Sequence, residues 1–393
     1  MGDRPECVRT VLSQVVESAI PMAKKDYATL CDFAAKQGHK GAVESWDVAY
    51  YSEKLRQERY QFSQEEVKPY FPANRVLTGM FKVVEKLYGL NISEVKDVNT
   101  WHKDVQLFSI TDEKGVHRGR FFIDLFARPH KRGGAWMDEC VTRFKKKDGV
   151  QTPVAYLTCN FTPPIGEDPS LLTHGEVETL FHEFGHGLHH MLTQVDYLSV
   201  SGIHGVEWDA VELPSQFMEN WCWQAEVMPL ISGHYKTGEV LPQEIFEKML
   251  AAKNFQSGMQ MVRQIEFSIF DFRIHLEYDA TNDSQIYDVL EQVRADVSVV
   301  KTPEFNRFPN SFSHIFAGGY AAGYYSYKWA EVLSSDAFSL FEEKGIFDEQ
   351  TGRSFLHNIL EKGGSDDALE LFTAFRGRKP TIDALLKHSG IAA

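Results

Sequence analysis

Apolar residues recur at three- and four-residue spacing through the first part of the chain, which is the period of an amphipathic helix. One stripe comprises Val8, Leu12, Val15, Val16 and Ile20. Another comprises Val76, Leu77, Met80, Phe81, Val84 and Leu87. Residues 1–98 are therefore predicted to be helical, and to pack on the rest of the chain and wall one side of it.

Between residues 104 and 161 the pattern changes to short apolar runs and alternation, which is typical of β-strands. Residues 105–110 and 120–125 flank a charged turn at 112–115, so they predict a hairpin or meander. Residues 154–160 are predicted to form the last strand. If that strand were an exposed edge, an extended peptide could pair with its backbone, and Tyr156 is the candidate substrate contact there.

From about residue 170 the pattern is helical again, with a final helix near residues 366–376. The first of these helices has its own start signal, because Thr173 and Glu176 match a capping box. Val177, Leu180, Phe181, Phe184 and Leu188 then follow at helical spacing. The predicted fold class is α+β and predominantly helical, with a small, mostly antiparallel sheet beside this buried helix.

This helix contains the run His182-Glu183-Phe184-Gly185-His186. Positions i and i+4 share a helix face, so one metal ion can take a nitrogen from His182 and another from His186. Glu183 lies about 100° round the helix from His182. That position suits a group that takes a proton from the attacking water and returns it to the leaving group. The H-E-x-x-H pattern is typical of zinc metallopeptidases; the alternative is a core helix with two hydrogen-bonded histidines.

A catalytic zinc ion usually takes three protein ligands. The pattern with a third His in H-E-x-x-H-x-x-G-x-x-H is excluded, because His189 and Leu192 occupy its Gly and His positions. A later carboxylate is then expected as the third ligand. The candidates are Glu207, Asp209, Glu212 and Glu219, with His204 as a weaker alternative. His190 lies ~12 Å along the helix from His182, so His189 and His190 are predicted to be packing or surface residues.

A second candidate site lies between residues 314 and 327. The adjacent Gly318 and Gly319 indicate a mobile or tightly turned backbone. The tyrosines at 320, 324 and 327 then recur at the spacing of one helical face. A phenol can donate a hydrogen bond to the oxyanion that forms when a carbonyl is attacked, although a tyrosine stripe also fits a core or an interface.

Both regions resemble the thimet oligopeptidase family of zinc metallopeptidases, peptidase family M3. Residues 208–216 (Trp-Asp-Ala-Val-Glu-Leu-Pro-Ser-Gln) and 219–221 (Glu-Asn-Trp) are similar to its second motif, and residues 316–327 to its Gly-Gly-Tyr loop. The resemblance implies a zincin-like catalytic domain with one Zn²⁺ per chain. It implies that His182, His186 and Glu212 are the ligands and Glu183 the general base, then acid. Its implied oxyanion or substrate contacts are Tyr324, Tyr327, His314, Tyr320, Gly318 and Gly319.

The resemblance spans the whole chain, but members of that family are much longer. It implies the C-terminal catalytic part, with residues 1–98 as a helical segment and 99–393 as the catalytic domain. The expected function is zinc-dependent hydrolysis of short peptides in the cytoplasm, including cleaved signal peptides. The alternative is a truncated or split half that binds zinc or peptide but needs a missing N-terminal region for turnover.

Two local alternatives stay open from the residues alone. Asp209 precedes Glu212 by one turn and could orient a metal-binding His through a hydrogen bond, or it could cap the following helix. Pro214 fits the first turn of that helix, or it kinks the helix.

The composition, net charge and cysteine content restrict the classes of partner and the cellular compartment that we expect. The chain has 393 residues with 43% hydrophobic and 24% charged residues, which is ordinary for a globular protein. A net charge of −14 argues against a nucleic-acid partner. The five cysteines are odd in number and lack a C-x-x-C pair, which fits a reducing compartment. No apolar leader or transmembrane run is found, so we expect a cytoplasmic monomer without membrane contact. No G-x-S-x-G or cysteine-nucleophile motif favours another hydrolase class.

Overall fold

The computed structural model describes residues 4–61, 63–282 and 284–392. The α-helices are α1 (Pro5–Lys36), α2 (Val48–Tyr60), α3 (Gln64–Val67), α4 (Ala73–Tyr88), α5 (His174–Leu192), α6 (Leu213–Glu219), α7 (Met228–Ile231), α8 (Gln243–Lys253), α9 (Ser257–Leu276), α10 (Gln285–Val297), α11 (Phe308–Ser311), α12 (Ser313–Phe316), α13 (Ser326–Lys344), α14 (Glu349–Phe355), α15 (Ala368–Arg376) and α16 (Asp383–His388). The strands are β1 (Leu90–Val95), β2 (Gln106–Asp112), β3 (His117–Phe126), β4 (Trp136–Val141), β5 (Phe144–Lys146), β6 (Gly149–Gln151) and β7 (Val154–Phe161).

Contacts divide the chain into two compact units. Unit 1 is drawn from the stretches Met1–Phe62, Lys248–Val332 and Thr381–Ala393. Unit 2 is drawn from Ser63–Glu247 and Leu333–Pro380. The predicted boundary at residue 98 divides a helical segment from a catalytic domain by their expected roles, and it stays a prediction.

The main sheet belongs to unit 2 and has the strand order β1-β2-β3-β7-β4. The predicted hairpin is confirmed, because β2 and β3 pair antiparallel. β1 with β2 and β4 with β7 are also antiparallel, whereas β3 and β7 run parallel. The sheet is thus mixed, and mostly antiparallel as predicted.

β1 corrects the prediction that residues 1–98 are helical throughout. Helix α4 ends at Gly89, whose φ of 66° is the left-handed conformation that terminates many helices. The chain then continues as a strand from Leu90 to Val95 and pairs with β2. Gly89 was the sequence signal for the end of the helix. The apolar stripe before it made the following residues look like a continuation of the helix.

The strand predicted at residues 154–160 is confirmed as β7, but its predicted exposure is wrong. β7 lies between β3 and β4, so both of its edges are paired. The connection after β3 returns through β4, which takes the outer position of the sheet. An edge available to an extended peptide is therefore β4, and not β7.

One face of the sheet packs against α4 and α5 through aromatic rings. Phe81 of α4 contacts Phe108, Phe121 and Phe184 at centroid distances of 5.0, 5.9 and 5.7 Å. All four side chains are buried. This packing confirms the second apolar stripe as a core face, and it seats α5, the helix of the H-E-x-x-H run, firmly on the sheet.

Unit 1 is helical around α1 and α9. Val8, Leu12 and Val15 are buried, together with Met261 and Ile265 of α9. Their burial confirms the first apolar stripe. Among the residues that the structure describes, no helix is long and apolar enough to cross a membrane.

Candidate metal centre and active site

Helix α5 begins at the predicted capping box. The Thr173 hydroxyl accepts a hydrogen bond from the Glu176 N–H at 3.2 Å, and the Glu176 carboxylate accepts one from the Thr173 N–H at 2.8 Å. These contacts satisfy two of the otherwise unpaired donors at the helix start. The helix is therefore well defined before it reaches residues 182–186.

Helix α6 approaches α5 very closely at Gly185. A Cβ atom at this glycine would lie 2.3 Å from the Pro214 carbonyl oxygen and 2.6 Å from the Ser215 Cα. Pro214 lies in the first turn of α6, which settles the alternative of a kink. Since Glu212 is the N-cap of that helix, the missing side chain at Gly185 lets Glu212 reach the two histidines.

Three potential metal ligands converge at this contact. Glu212 Oε2 lies 3.4 Å from His182 Nε2 and 3.1 Å from His186 Nε2. One ligand atom from each residue falls within 4.8 Å of the others, and within the described ranges no other His, Cys, Asp or Glu group meets this criterion. Two imidazoles and a carboxylate suit a divalent metal ion. The structure thus brings together the three predicted ligands.

The electrostatics of the group are those of mutually stabilised charges. Burial alone would raise the pKa of Glu212, but hydrogen bonds to His182 and His186 outweigh it and hold that pKa well below its usual range. Burial lowers the pKa of His182, whereas Glu212 and Glu219 overcome this effect and raise it to about 10. A bound metal ion must displace this proton, as is general for histidine ligands.

Glu219 holds His182 from the other side. Its Oε1 lies 2.6 Å from His182 Nδ1, and an ionised carboxylate only accepts, so Nδ1–H is the donor. This arrangement leaves Nε2 for the metal. Sequence reasoning considered Glu219 only as a ligand. Its position seven residues after Glu212, two turns along the same helical segment, was the signal for a supporting role.

Glu219→Ala is expected to weaken zinc binding about 10–100-fold, because His182 loses the partner that fixes its ring and tautomer. The zinc affinity of Glu219→Gln should lie between those of Glu219→Ala and the parent, since its amide oxygen can still accept a hydrogen bond from His182 Nδ1. Competition with a chelating dye measures the affinity. The exposed Glu226→Ala variant is the control, and an unchanged affinity in Glu219→Ala would remove Glu219 from the metal centre.

Glu183 is buried beside the ligands, with 5% of its surface exposed. Burial raises its pKa, and the opposing effect of His182 and His186 is smaller. The backbone of Met137 in β4 has a smaller effect in the same direction as the two histidines, since it favours the ionised form of Glu183 and lowers its pKa. A carboxylate with a raised pKa beside a metal centre is suited to accept and return a proton.

The other candidates lie outside the group of three ligands. His189 and His190 are buried, and His190 Nε2 lies 3.0 Å from the Val141 carbonyl oxygen. His204 pairs with Glu139, and Glu207 accepts a hydrogen bond from the Ala368 N–H. Asp209 is buried, but the N-cap of α6 is Glu212. Glu219 already binds Nδ1 of His182. The predicted hydrogen bond from Asp209 to a metal-binding histidine therefore stays a prediction.

The predicted aromatic cluster forms within unit 1. Tyr327 lies 4.8 Å from Tyr320 and 5.3 Å from Tyr324 between ring centroids. The His314 ring is 5.7 Å from that of Tyr324. The reason differs from the prediction of one helical face, because α13 begins only at Ser326 and the preceding residues form turns.

Two features shape that turn. Gly319 has a φ of 85°, and a Cβ at Gly318 would lie 2.9 Å from the His314 carbonyl oxygen. Both glycines therefore have steric reasons to be there. The Tyr324 hydroxyl donates to Gln264 Oε1 at 3.0 Å, so it must rotate before it can donate to a substrate.

Tyr156 is not brought to the metal ligands. It stacks on Phe122 at 5.6 Å and contacts Trp101 at 5.4 Å. The neighbouring Leu157 points to α5, where it would touch a Cβ at Gly187. Successive strand residues point to opposite faces, so Tyr156 lies on the sheet face away from α5. Its predicted contact with substrate has no support in this packing.

Gly185→Ala is expected to weaken zinc binding at least about 10-fold and to destabilise the fold by about 1–3 kcal/mol, because its methyl group forces α6 away from α5. Zinc titration and thermal unfolding measure the two effects. Gly175→Ala, at a helix position whose Cβ would meet nothing within 4 Å, is the matched control. Parent-like zinc affinity in Gly185→Ala would show that the close approach does not position Glu212.

Comparisons with known proteins identify the family to which this chain is related. The sequence profile of Peptidase family M3 matches residues 1–391. Oligopeptidase A of Haemophilus influenzae is 55% identical over 392 residues, covering 100% of this chain and 58% of the relative. Oligopeptidase A of Escherichia coli is 54% identical over 392 residues, with the same shares. The chain thus spans little more than half the length of these curated relatives.

A solved structure of PZ peptidase A with an inhibitor has a related fold. Its TM-score is 0.60 with 16% sequence identity, over 98% of this chain and 57% of that one. At a sequence identity this low, the comparison shows a similar fold and nothing further.

Proposed function

Because the chain belongs to peptidase family M3, we propose that it is a zinc-dependent endopeptidase that hydrolyses peptide bonds in short peptides. The observation that carries this proposal is the group of His182, His186 and Glu212 with the buried Glu183 beside it. Two histidines and a glutamate are a ligand set used by catalytic zinc. The relatives named oligopeptidase A support short peptides as the substrate class.

Each residue of the site has a separate chemical role. When bound, zinc would polarise the scissile carbonyl and lower the pKa of the attacking water. Glu183 takes the proton from that water and delivers it to the leaving amine, a double role for which a raised pKa is favourable. Glu212 supplies negative charge to the centre, and Glu219 holds His182 in the required tautomer.

Substrate contacts form a further part of the proposal. Tyr324 and Tyr327 are the proposed donors to the oxyanion, with His314, Tyr320 and the two preceding glycines contacting substrate. The ring cluster and the family resemblance support these roles. An extended peptide would pair with β4, because this strand is an edge of the sheet and the backbone of its Met137 is near enough to Glu183 to lower the pKa of that carboxylate.

We further propose peptide turnover in the cytoplasm, including cleaved signal peptides. None of the five cysteines, all of which the structure describes, forms a disulfide bond, which supports a reducing compartment. The second candidate is a peptidase half that binds zinc and peptide but needs a further N-terminal region for turnover. The chain's coverage of only 58% of its relatives favours keeping this candidate.

The proposal is tested with an internally quenched short peptide and the purified chain. The zinc-loaded chain should hydrolyse the peptide, chelation should stop the reaction, and added zinc should restore it. Hydrolysis that persists after complete removal of metal would contradict the proposal. No hydrolysis with zinc bound would favour the half-enzyme, and activity regained on adding the N-terminal part of a relative would establish it.

A further inference from the structure

We propose that Asp271 is a positioning residue for the tyrosine cluster: it binds the backbone of the Ala322–Tyr324 turn and thereby orients the phenols of Tyr324 and Tyr327. This inference rests on the proposed role of these tyrosines and adds a residue that sequence analysis did not identify. All of its contacts lie within unit 1.

Asp271 is a carboxylate in the middle of α9 with no exposed surface. A buried carboxylate is costly unless hydrogen bonds satisfy it. Burial raises its pKa, and the N–H groups of Tyr324 and Ala322 act in the opposite direction by stabilising the ionised form. An apolar residue would fill this core position at lower cost, so the carboxylate must have a specific structural task.

Both carboxylate oxygens are used to hold one turn. Oδ1 accepts from the Ala322 N–H at 2.9 Å, and Oδ2 accepts from the Tyr324 N–H at 2.9 Å. An ionised carboxylate offers one acceptor oxygen to each of the two N–H donors. An asparagine of the same shape would present an NH₂ group to one of them.

The turn needs such support because Ala322 adopts a left-handed conformation. Its φ is 55°, although it is not a glycine. For an L-residue this conformation costs about 1–2 kcal/mol, and it persists only where the surroundings impose it. The hydrogen bond from Ala322 to Asp271 is a direct source of that restraint, and the reversal it maintains lets the Tyr320 and Tyr327 rings stack.

Helix α9 in fact holds Tyr324 at both ends. Asp271 binds its backbone N–H, and Gln264 accepts from its hydroxyl. These two helix residues are seven apart and so lie on the same face, ~10.5 Å from each other along the axis. His275 also contacts the Asp271 carboxylate, because its Nδ1 lies 2.9 Å from Asp271 Oδ1. The position of the phenol is thus set from one rigid helix.

The test compares Asp271→Asn with Glu266→Gln. Glu266 is a matched control, since it is equally buried on α9 but binds Arg263 and Arg294 instead of the turn. We expect Asp271→Asn to lower kcat about 10–100-fold, because small misplacements of catalytic groups have effects of this size. KM and bound zinc should stay near the parent values, and Glu266→Gln should change only the thermal stability.

Two further measurements separate the inference from the function on which it rests. In a Tyr324→Phe, Tyr327→Phe background, Asp271→Asn should lower kcat little further, because it acts through these phenols. Amide hydrogen exchange over residues 318–327 should accelerate in Asp271→Asn but not in Glu266→Gln, and this readout needs no activity.

If the tyrosine variants lower kcat while Asp271→Asn does not, the inference fails and the proposed function stands. Unchanged exchange over residues 318–327, or an equal loss of kcat in Glu266→Gln, would also overturn the inference. If instead the phenylalanine variants retain the parent kcat, the tyrosine role itself is wrong.

Discussion

Glu183→Gln is expected to lower kcat for peptide hydrolysis about 10²–10⁴-fold. Glutamine keeps the size of the side chain, but it cannot take a proton from water. Since Glu183 is not one of the converging ligands, zinc affinity should stay within about threefold of the parent value, far less than the effect of losing a ligand or its partner. Steady-state kinetics on a quenched peptide and a zinc titration measure both effects.

Glu178→Gln is the matched control for this prediction. It lies on the same helix and bonds the Trp223 indole, away from the ligand group. Its kcat should remain close to that of the parent. Hydrolysis at a parent-like rate by Glu183→Gln would mean that another group transfers the proton, and the assignment of Glu183 would be withdrawn.

The active-site helix could be predicted because its information is local. The capping box at Thr173 and Glu176 and the four-residue spacing of His182 and His186 act within one helix. No distant residue is needed to interpret them. The apolar stripes of α1 and α4 were predictable for the same reason, and the structure buries most of their residues.

The residues that were missed act across long separations. Gly185 matters because Pro214 lies against it, and nothing in the H-E-x-x-H pattern shows that contact. The interior position of β7 depends on a pairing with β3 that joins segments some thirty residues apart. Pattern rules assign a strand but not its neighbours, so the edge was placed on the wrong strand.

The tyrosine cluster illustrates a correct grouping reached for an incorrect reason. Tyr320, Tyr324 and Tyr327 have helical spacing, but the chain turns at Ala322 and only Tyr327 lies in α13. A non-glycine residue with positive φ has no signature in a single sequence. Asp271, which binds that turn, could therefore be found only from the structure.

Glu212→Gln is expected to weaken zinc binding more than about 100-fold, since losing a ligand should exceed the effect of losing a ligand's partner. The amide keeps the volume and can still accept from Ser215, which donates to Glu212 Oε2 at 3.0 Å. It lacks the charge that stabilises a divalent ion between two imidazoles. Hydrolysis should fall with zinc occupancy and recover in part at high zinc concentration.

The metal-free variant provides a second readout. Glu212 is the buried anion between His182 and His186, so its neutralisation should also destabilise the metal-free fold by about 3–5 kcal/mol, as for other buried pairs broken on one side. Glu207→Gln is the control, because sequence alone admitted Glu207 as the third ligand but the structure pairs it with the Ala368 N–H. If Glu207→Gln lost zinc and Glu212→Gln kept it, the third ligand would be reassigned, and with it the approach of α6 to α5 would lose its functional meaning.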